Sequence, residues 1–489
     1  MRVAIIGGGI AGLAAAYELE SARRAGYPRT GSPAEYELFE ASSRLGGVLS
    51  SSMADGTVIE HGPDSFLTEK PAAAELCREL GLEADLMGSN DAERKTFIVV
   101  RNRLVALPDG LMFLVPTKLL PMVLTPLFGW LTKIRMGLEL LHSPKAKSNE
   151  DESVASLVRR HYGQQAVERL ADPLLSGIYG GEAEKLSARA VLPRLMEMEA
   201  KHGSLTRGML AGIKARKAAA EADPEAVSTP KPLFTTLRYG LQQLVDGLTA
   251  RLDPTRVHLH APVLGVERDG DGWLVEVRES VKPATVERFD AVIVAAPAWA
   301  AAEFLRPVDA VLSGELEQIE YSSSATVNLV YDGADLDPLP QGFGFLAPAA
   351  EGRSIMACTF LHRKFPGRTA WGKSVLRAFV GGAHNLTLLA QPDEEIVERV
   401  QRDLLEILQI SAIPEYIEVR RWPRAMAQYS VGHQARQKRI RERLAALPGL
   451  HLAGNAYDGI GISDCIRLGR GAAREITRQD APAIAQSHR

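Results

Sequence analysis

Apolar positions follow two periods along this chain, and the points where one gives way to the other mark its elements. Residues 3–6 form a short, unbroken apolar run ending in glycine, the pattern of a strand buried on both faces. Residues 10–24 then carry helical spacing and alanine-rich propensity, and residues 35–39 return to a strand. Together they predict a βαβ unit, with 26–34 as a surface loop inserted in the connection. A second buried, parallel-type strand is predicted at 291–296, ending at Pro297. Before it, residues 257–260, 263–269 and 273–277 read as strands, with Asp269-Gly270-Asp271-Gly272 as a hairpin turn. Strands are also predicted at 325–331, 354–360, 375–380 and 418–422, with one helix at 394–408; the last forty residues return to strand, glycine turn and helix.

The middle of the chain is different. Residues 111–127 are rich in Leu, Met, Phe and Val but are interrupted by Pro116, Pro121 and Pro126, which predicts short helical turns rather than one long helix. A cleaner amphipathic helix follows at 132–141. Two readings stand side by side: a proline-broken helical core, or an apolar surface for a membrane or a greasy substrate, with Lys118, Lys133 and Arg135 facing anionic headgroups. Ser148 to Glu152 reads as the cap and acidic first turn of a helix running to about Tyr162. Helices are predicted at 164–175 and 188–201, and 214–231 as a helix end plus exposed linker.

Composition narrows the class. With 489 residues, 46% apolar, 24% charged and a net charge of −3, the chain can fill two or three domains and has no basic excess to favour nucleic acid. Cys77, Cys358 and Cys465 form no C-x-x-C pair, which disfavours a disulfide framework or cysteine zinc site and fits a reducing compartment. No histidine pair has metal-ligand spacing, and no metal is expected; His258 and His260 read as flanking a strand. The apolar start has four glycines and runs into a charged helix, unlike a signal peptide, and no stretch reaches the ~18 apolar residues of a spanning helix.

Chemistry enters with the glycines. Gly7, Gly9 and Gly12 form G-x-G-x-x-G between strand and helix: Gly7 for the tight turn, Gly9 for approach to a pyrophosphate, Gly12 for close packing of helix on strand. Gly8, Ile10 and Ala11 complete the turn and helix start. Glu40 ends the second strand, where a carboxylate accepts hydrogen bonds from ribose hydroxyls and repels a 2′-phosphate. Its distance beyond Gly12 exceeds the usual ~20 residues, which the 26–34 loop accounts for.

Residues 40–47, Glu-Ala-Ser-Ser-Arg-Leu-Gly-Gly, resemble the E-A-x-x-R-x-G-G element of the FAD-dependent amine oxidase superfamily. Residues 59–67 (Ile-Glu-His-Gly-Pro-Asp-Ser-Phe-Leu) and 452–466 (Leu-Ala-Gly-Asn-Ala-Tyr-Asp-Gly-Ile-Gly-Ile-Ser-Asp-Cys-Ile) resemble, within it, the protoporphyrinogen/coproporphyrinogen oxidase family. That resemblance spans the chain and implies an α/β fold: a discontinuous Rossmann-like FAD domain of the two-dinucleotide-binding type, an α+β substrate domain and an α-helical insertion. The expected divisions are 1–50, 232–300 and 424–489 for FAD; 51–98, 206–231 and 301–423 for substrate; and 99–205 for the helical, membrane-facing part.

The same resemblance implies non-covalent FAD. Glu40 and Ala41 meet the ADP half, Arg44 approaches the pyrophosphate, and Gly46, Gly47 and Val48 pass beside it. Gly62, Pro63, Asp64 and Ser65 lie against the isoalloxazine. Val263 meets the adenine-ribose half, Trp422 sits near the flavin, and Gly454 and Ile460, Gly461 and Ile462 close its pyrimidine end. Amides of a helix start near Ile462 would favour negative charge there. No covalent link through Cys465 is expected.

The activity implied is FAD-dependent oxidation of coproporphyrinogen III to coproporphyrin III by dioxygen, with six hydrogens removed in three rounds and hydrogen peroxide formed in each. Oxidation of protoporphyrinogen IX is the alternative, followed by an amine-oxidase-like enzyme and by a non-catalytic porphyrin- or flavin-binding protein. No protein nucleophile or acid–base pair is expected to be catalytic, because the flavin does the chemistry. Lys70 and Arg101 are candidate cations for the propionates, and Gly177 and Tyr179 candidate cavity residues. The expected setting is cytoplasmic, with peripheral membrane contact, a monomer or homodimer, and a downstream heme-pathway enzyme as partner.

Overall fold

The computed structural model describes residues 1–25, 35–143, 150–222, 231–280, 282–336, 339–383 and 385–479. The expected loop at 26–34, the start of the 148–152 cap and most of the linker after 222 lie outside the described residues. At the centre is a five-stranded parallel sheet in the order Val257–His258, Glu35–Phe39, Arg2–Ile6, Ala291–Val294, Leu450–Leu452. Its central strands are buried on both faces, which is why they read as unbroken apolar runs. In register, Val3 stands between Tyr36 and Ala291.

The two ends of the chain meet on one face of this sheet. Helix Ile10–Arg24 packs on helix Ile462–Gln479 so closely that a Cβ at Gly469 would lie 2.0 Å from the Ala11 carbonyl oxygen. Their buried seam includes Leu13, Ala14, Leu19, Ile466, Ala473 and Ile476. The other face carries the antiparallel strands Val263–Asp269, Gly272–Val277 and Thr285–Phe289, with helices Ala298–Leu305, Ala310–Glu317 and His433–Ala445.

A second sheet of seven strands runs Tyr416–Ala427, Tyr321–Asp332, Lys373–Gly381, Ile355–Phe360, Gly344–Leu346, Thr96–Val100, Arg103–Ala106. The strand expected at 418–422 is longer than Trp422-Pro423 suggested. It is the edge strand, where a proline's missing N–H leaves no ladder bond unmade. Helix Asp393–Leu408 covers one face of this sheet through Ile396, Val400 and Leu404.

The helical part is as interrupted as its prolines imply. A small hairpin, Leu111–Met112 with Val115–Pro116, precedes helices Leu119–Leu124 and Trp130–Leu138, and a tighter turn spans Glu139–Leu141. The region is divided: Met122, Leu127, Phe128 and Met136 are core, while Leu119, Leu124, Trp130, Leu131 and Leu141 are exposed. The next helix starts at Val154 and is capped by Ser153, whose Oγ accepts from the Ser156 amide, so the cap is later than the acidic run suggested. The expected 164–175 helix is carried on to Tyr179 through a wide turn at Val167–Ala171. Helix Leu205–Ala222 supplies the helix end expected within 214–231, and folds back on Pro193–His202. No helix of the described residues is long and apolar enough to cross a membrane.

Candidate functional site

A cavity of about 1660 Å³ runs from the glycine turn of the parallel sheet to the helical part. At one end Gly7, Gly9, Ile10 and Ala11 line it, opposite Glu40, Ala41, Gly46, Gly47 and Val48. These two segments are joined: the Gly46 amide donates to the Gly8 carbonyl at 2.8 Å, and Gly47 and Gly9 nearly touch. Gly8 faces Glu40, its amide donating to Oε2 at 2.6 Å, while the Ser42 amide donates to Oε1 at 2.8 Å. Glu40 is thus fixed by backbone amides with its carboxylate at the cavity wall. Gly12 does not line the cavity; a Cβ there would lie 1.9 Å from the Gly7 carbonyl oxygen. Gly9 is the reverse case, with nothing within 4 Å of where a Cβ would stand.

Val263 lines the cavity beside Ala261 and Pro262. Further along, Pro63, Ser65, Trp422, Gly454, Ile460, Gly461 and Ile462 form its walls. Gly62 and Asp64 are turned the other way and anchor this strap to the second sheet. Asn328 Nδ2 donates to the Glu60 carbonyl (3.1 Å), and Thr326 Oγ1 and Trp422 Nε1 donate to the His61 carbonyl (2.7 and 2.8 Å). Arg377 donates to the Gly62 carbonyl, and Thr236 Oγ1 to that of Asp64 at 2.7 Å.

Under the strap is a buried ionic cluster. Lys364 Nζ donates to both Asp64 oxygens, at 2.9 and 3.0 Å; Arg377 lies 3.8 Å from the same carboxylate, and Arg368 pairs with Glu60. Burial alone would raise the Asp64 pKa, but the Lys364 and Arg377 charges outweigh it and hold it well below the usual carboxylate range. His61 is lowered by burial, with its ring nitrogens 2.8 Å from Ser50 Oγ and 3.0 Å from Ser52 Oγ. Breaking one partner of such a cluster would leave an uncompensated buried charge.

The turn before the C-terminal helix is held as firmly. Tyr429 Oη accepts from the Gly459 amide at 2.9 Å and donates to the Asn455 carbonyl at 3.0 Å. Asp464 Oδ2 accepts from the Gly461 amide (3.2 Å) and from Lys70 Nζ (2.6 Å). The helix start expected to offer free amides therefore carries its own carboxylate, neutralised by Lys70.

Of the candidate substrate residues, Lys70 and Tyr179 line the cavity. Gly177 packs on Leu346 instead, and Arg101 sits in the turn into the edge strand Arg103–Ala106, its amide donating to Glu351, away from the cavity wall. Arg44 is not at the wall either: its guanidinium donates to the carbonyls of Leu45, Gly47 and Leu49 and lies 5.9 Å from the Trp422 ring.

Several site residues escape a reading of sequence. Lys364, Arg377 and Asp464 act on partners hundreds of positions away. One signal was present: Thr326, Asn328 and Arg377 are polar residues inside apolar strands, and Asn328 stands directly across from Arg377. Glu139, His142 and His161 also bring ligand atoms within 4.8 Å of one another, which no sequence spacing showed. Bonds account for two of them: the Glu139 carboxylate accepts from His161, Ser204 Oγ and the Leu205 amide, which joins the helices, while the His142 ring packs against that of His161.

Two glycine turns and an acid at the end of the second strand give the cavity the lining of a nucleotide site. The chain belongs to the family of flavin-containing amine oxidoreductases, whose family model matches residues 10–477. It is 36% identical to the coproporphyrinogen III oxidase of Bacillus subtilis over 97% of both chains, and 32% identical to human protoporphyrinogen oxidase over 97% of this chain and 98% of the other. A crystal structure from Exiguobacterium sp. 255-15, assigned to protoporphyrinogen oxidase, superposes with a TM-score of 0.84 at 32% identity, covering 98% and 99% of the two chains. Cyclohexylamine oxidase of Brevibacterium oxydans shares the fold, with a TM-score of 0.66 at 18% identity over 98% of this chain and 99% of that one.

The cofactor is accordingly a flavin. The site fits one: open space at Gly9 and Gly454 leaves bare backbone at the wall, and Gly9 stands at the N-terminus of helix Ile10–Arg24.

Proposed function

We propose that this protein oxidises coproporphyrinogen III to coproporphyrin III in heme synthesis, using FAD and dioxygen. The observation that carries the reading is full-length similarity to the bacterial coproporphyrinogen III oxidases. The cavity supports it, with Leu175, Ile178, Tyr179, Met198 and Met209 giving apolar surface for a macrocycle opposite the glycine turn. When bound, the flavin supplies the hydride acceptor. Each round passes two hydrogens from the porphyrinogen to dioxygen, giving one hydrogen peroxide; three rounds complete the porphyrin.

The chain's own residues bind and orient. Gly7 to Gly12, with Gly46 and Gly47, leave room for a pyrophosphate, and Glu40 for a ribose, which supports the dinucleotide FAD. Residues 1–50, 232–300 and 424–489 hold it, 51–98, 206–231 and 301–423 the substrate, and 99–205 is a unit that becomes helical only beyond the edge strand Arg103–Ala106, with helix Leu205–Ala222 packed on it. The strap at Pro63 and Ser65 and the turn at Ile460 to Ile462 wall the redox end. Burial pushes the Cys465 thiol up to about 12, which supports flavin held without a covalent link. The lysines nearest the strap, Lys70 and Lys364, are each committed to a carboxylate, which speaks against an amine-oxidase-like use of a free lysine. Further parts of this reading are a cytoplasmic monomer or homodimer, a downstream heme-pathway partner and peripheral membrane contact through the exposed leucines of 119–141.

Anaerobic mixing with each porphyrinogen tests it. The flavin absorbance should bleach, porphyrin fluorescence should appear, and air should restore the colour, faster with coproporphyrinogen. Silence with both substrates would remove the assignment; faster turnover of protoporphyrinogen would move it to the alternative.

A further inference from the structure

Resting on that reading of the cavity, we propose that Arg194 and Arg216 receive the porphyrinogen's carboxylates and set the preference for the substrate that carries more of them. Arg194 opens helix Pro193–His202 and Arg216 lies in helix Leu205–Ala222; both line the cavity. The two helices form a hairpin about Gly203, whose φ is +74°. Gly208 lets them close, since a Cβ there would stand 2.8 Å from Met198 Cβ.

Counting outward from that contact, Arg194 is four residues away on one helix and Arg216 eight on the other. Both therefore stand toward the open end of the hairpin, about 6 Å apart along its axis. On the same helix faces, at spacings of four and seven, Met198 and Met209 line the cavity deeper in. Each helix thus presents an apolar residue inward and a cation outward, which matches an apolar macrocycle with carboxylates at its rim.

Neither arginine has a hydrogen-bond or carboxylate partner among the described residues. Their neighbours in the helical part differ: Arg135, Arg159, Arg160, Arg169 and Arg207 are all bound to carbonyls or carboxylates. Of the other cavity cations, Lys70 is paired with Asp464 and Arg467 with Asp458, and Arg424 lies over the Trp299 ring. An unpaired guanidinium offers a bidentate fork to a carboxylate. Coproporphyrinogen has four propionates and protoporphyrinogen two, so cations at the outer rim act most on the former.

The test compares wild type, R194Q/R216Q, the conservative R194K/R216K and, from the separate helix His433–Ala445, R441Q, which removes another cavity arginine that has no carboxylate partner among the described residues. The glutamine pair should raise KM for coproporphyrinogen about tenfold or more, as expected for losing charge-assisted bonds. It should change KM for protoporphyrinogen less, keep flavin content and kcat, and abolish the rise of KM with ionic strength. The lysine pair should recover part of the loss. An unchanged KM, an equal rise for both substrates, or an effect carried by R441Q instead would overturn the proposal. Wild-type enzyme silent with both porphyrinogens would remove the function reading itself, a result distinct from normal turnover in all four proteins.

Discussion

Lys70 Nζ lies 2.6 Å from Asp464 Oδ2, joining the segment after the strap to the first turn of the C-terminal helix. The same oxygen accepts from the Gly461 amide, so the pair sits directly behind the turn at Ile460 to Ile462. On the proposed placement of the flavin, removing the lysine leaves Asp464 with only the more distant Arg467, at 4.0 Å, to offset its charge near the redox end, where reduction adds negative charge. Lys70→Met should therefore lower the flavin midpoint potential and Asp464→Asn should raise it. Lys70 is 42% exposed, so the shift should be no more than about 30 mV for a two-electron couple. A spectroelectrochemical titration checks it; a KM change with no change of potential would make Lys70 a substrate cation after all.

Two glycines of one motif should fail differently. Gly12→Ala forces a methyl to 1.9 Å from the Gly7 carbonyl and should separate helix from strand, with protein lost to aggregation whether or not flavin is supplied. Gly9→Ala meets nothing within 4 Å, so the chain should fold with its far-UV circular dichroism intact. Its methyl then occupies space a pyrophosphate needs, and the flavin dissociation constant should rise about tenfold or more. Retention of flavin by the Gly9 variant would place the phosphates elsewhere.

What could be read from sequence was what local patterning encodes. The parallel strands at 3–6 and 291–294 carry unbroken apolar runs, and glycine turns follow strands 2–6 and 450–452. The length of the edge strand through Pro423 was hidden, because being at an edge is a property of the whole sheet. The cluster of Asp64, Lys364 and Arg377 was hidden for a related reason: each charge is ordinary alone, and only the strand pairing that sets Asn328 beside Arg377 brings them under the strap. The opposite error fell on Arg101, a candidate cation that the fold places away from the cavity wall.

The helical part should show its own pH dependence. His161 lies between Glu139 (2.9 Å) and Glu199 (3.2 Å). Burial alone would lower its pKa, but its bonds to the two carboxylates outweigh this and raise it. Burial likewise opposes ionisation of Glu139 and Glu199, yet hydrogen bonds hold both at about 2. The histidine's contribution is complete below its unfolded pKa of about 6.5 and is lost as pH rises through its raised folded value. The glutamates' contribution is present above about 4.5 and is lost as pH falls toward 2. Amide exchange at the start of helix Leu205–Ala222 should thus be slowest near pH 5–6, relative to the intrinsic rate, and protection should decline on the alkaline side. His161→Gln should remove the alkaline decline; persistence of that decline would assign it to another group.

The exposed apolar face of 119–141 makes the last prediction, and burial decides which residues test it. Leu127 and Phe128 are core at 0% and 3% exposed, so changing them would report on folding. Leu119, Leu124 and Leu131 are 74%, 72% and 85% exposed and stand on successive short helices. Burying each of these leucines in a bilayer is worth about 1.5 kcal/mol or more. The basic residues contribute less than their number suggests: Lys133 donates to the Val123 carbonyl and lies over the Trp130 ring, and Arg135 is bound to the carbonyls of Arg159 and Arg160. Flotation with vesicles should therefore be strong, only mildly improved by anionic lipid, and resistant to salt. L124E/L131E should abolish it while leaving flavin content and coproporphyrinogen turnover in detergent-free buffer at wild-type levels. Binding that vanishes at high salt would make the contact electrostatic, and a double variant that floats like wild type would mean that these leucines do not enter the bilayer.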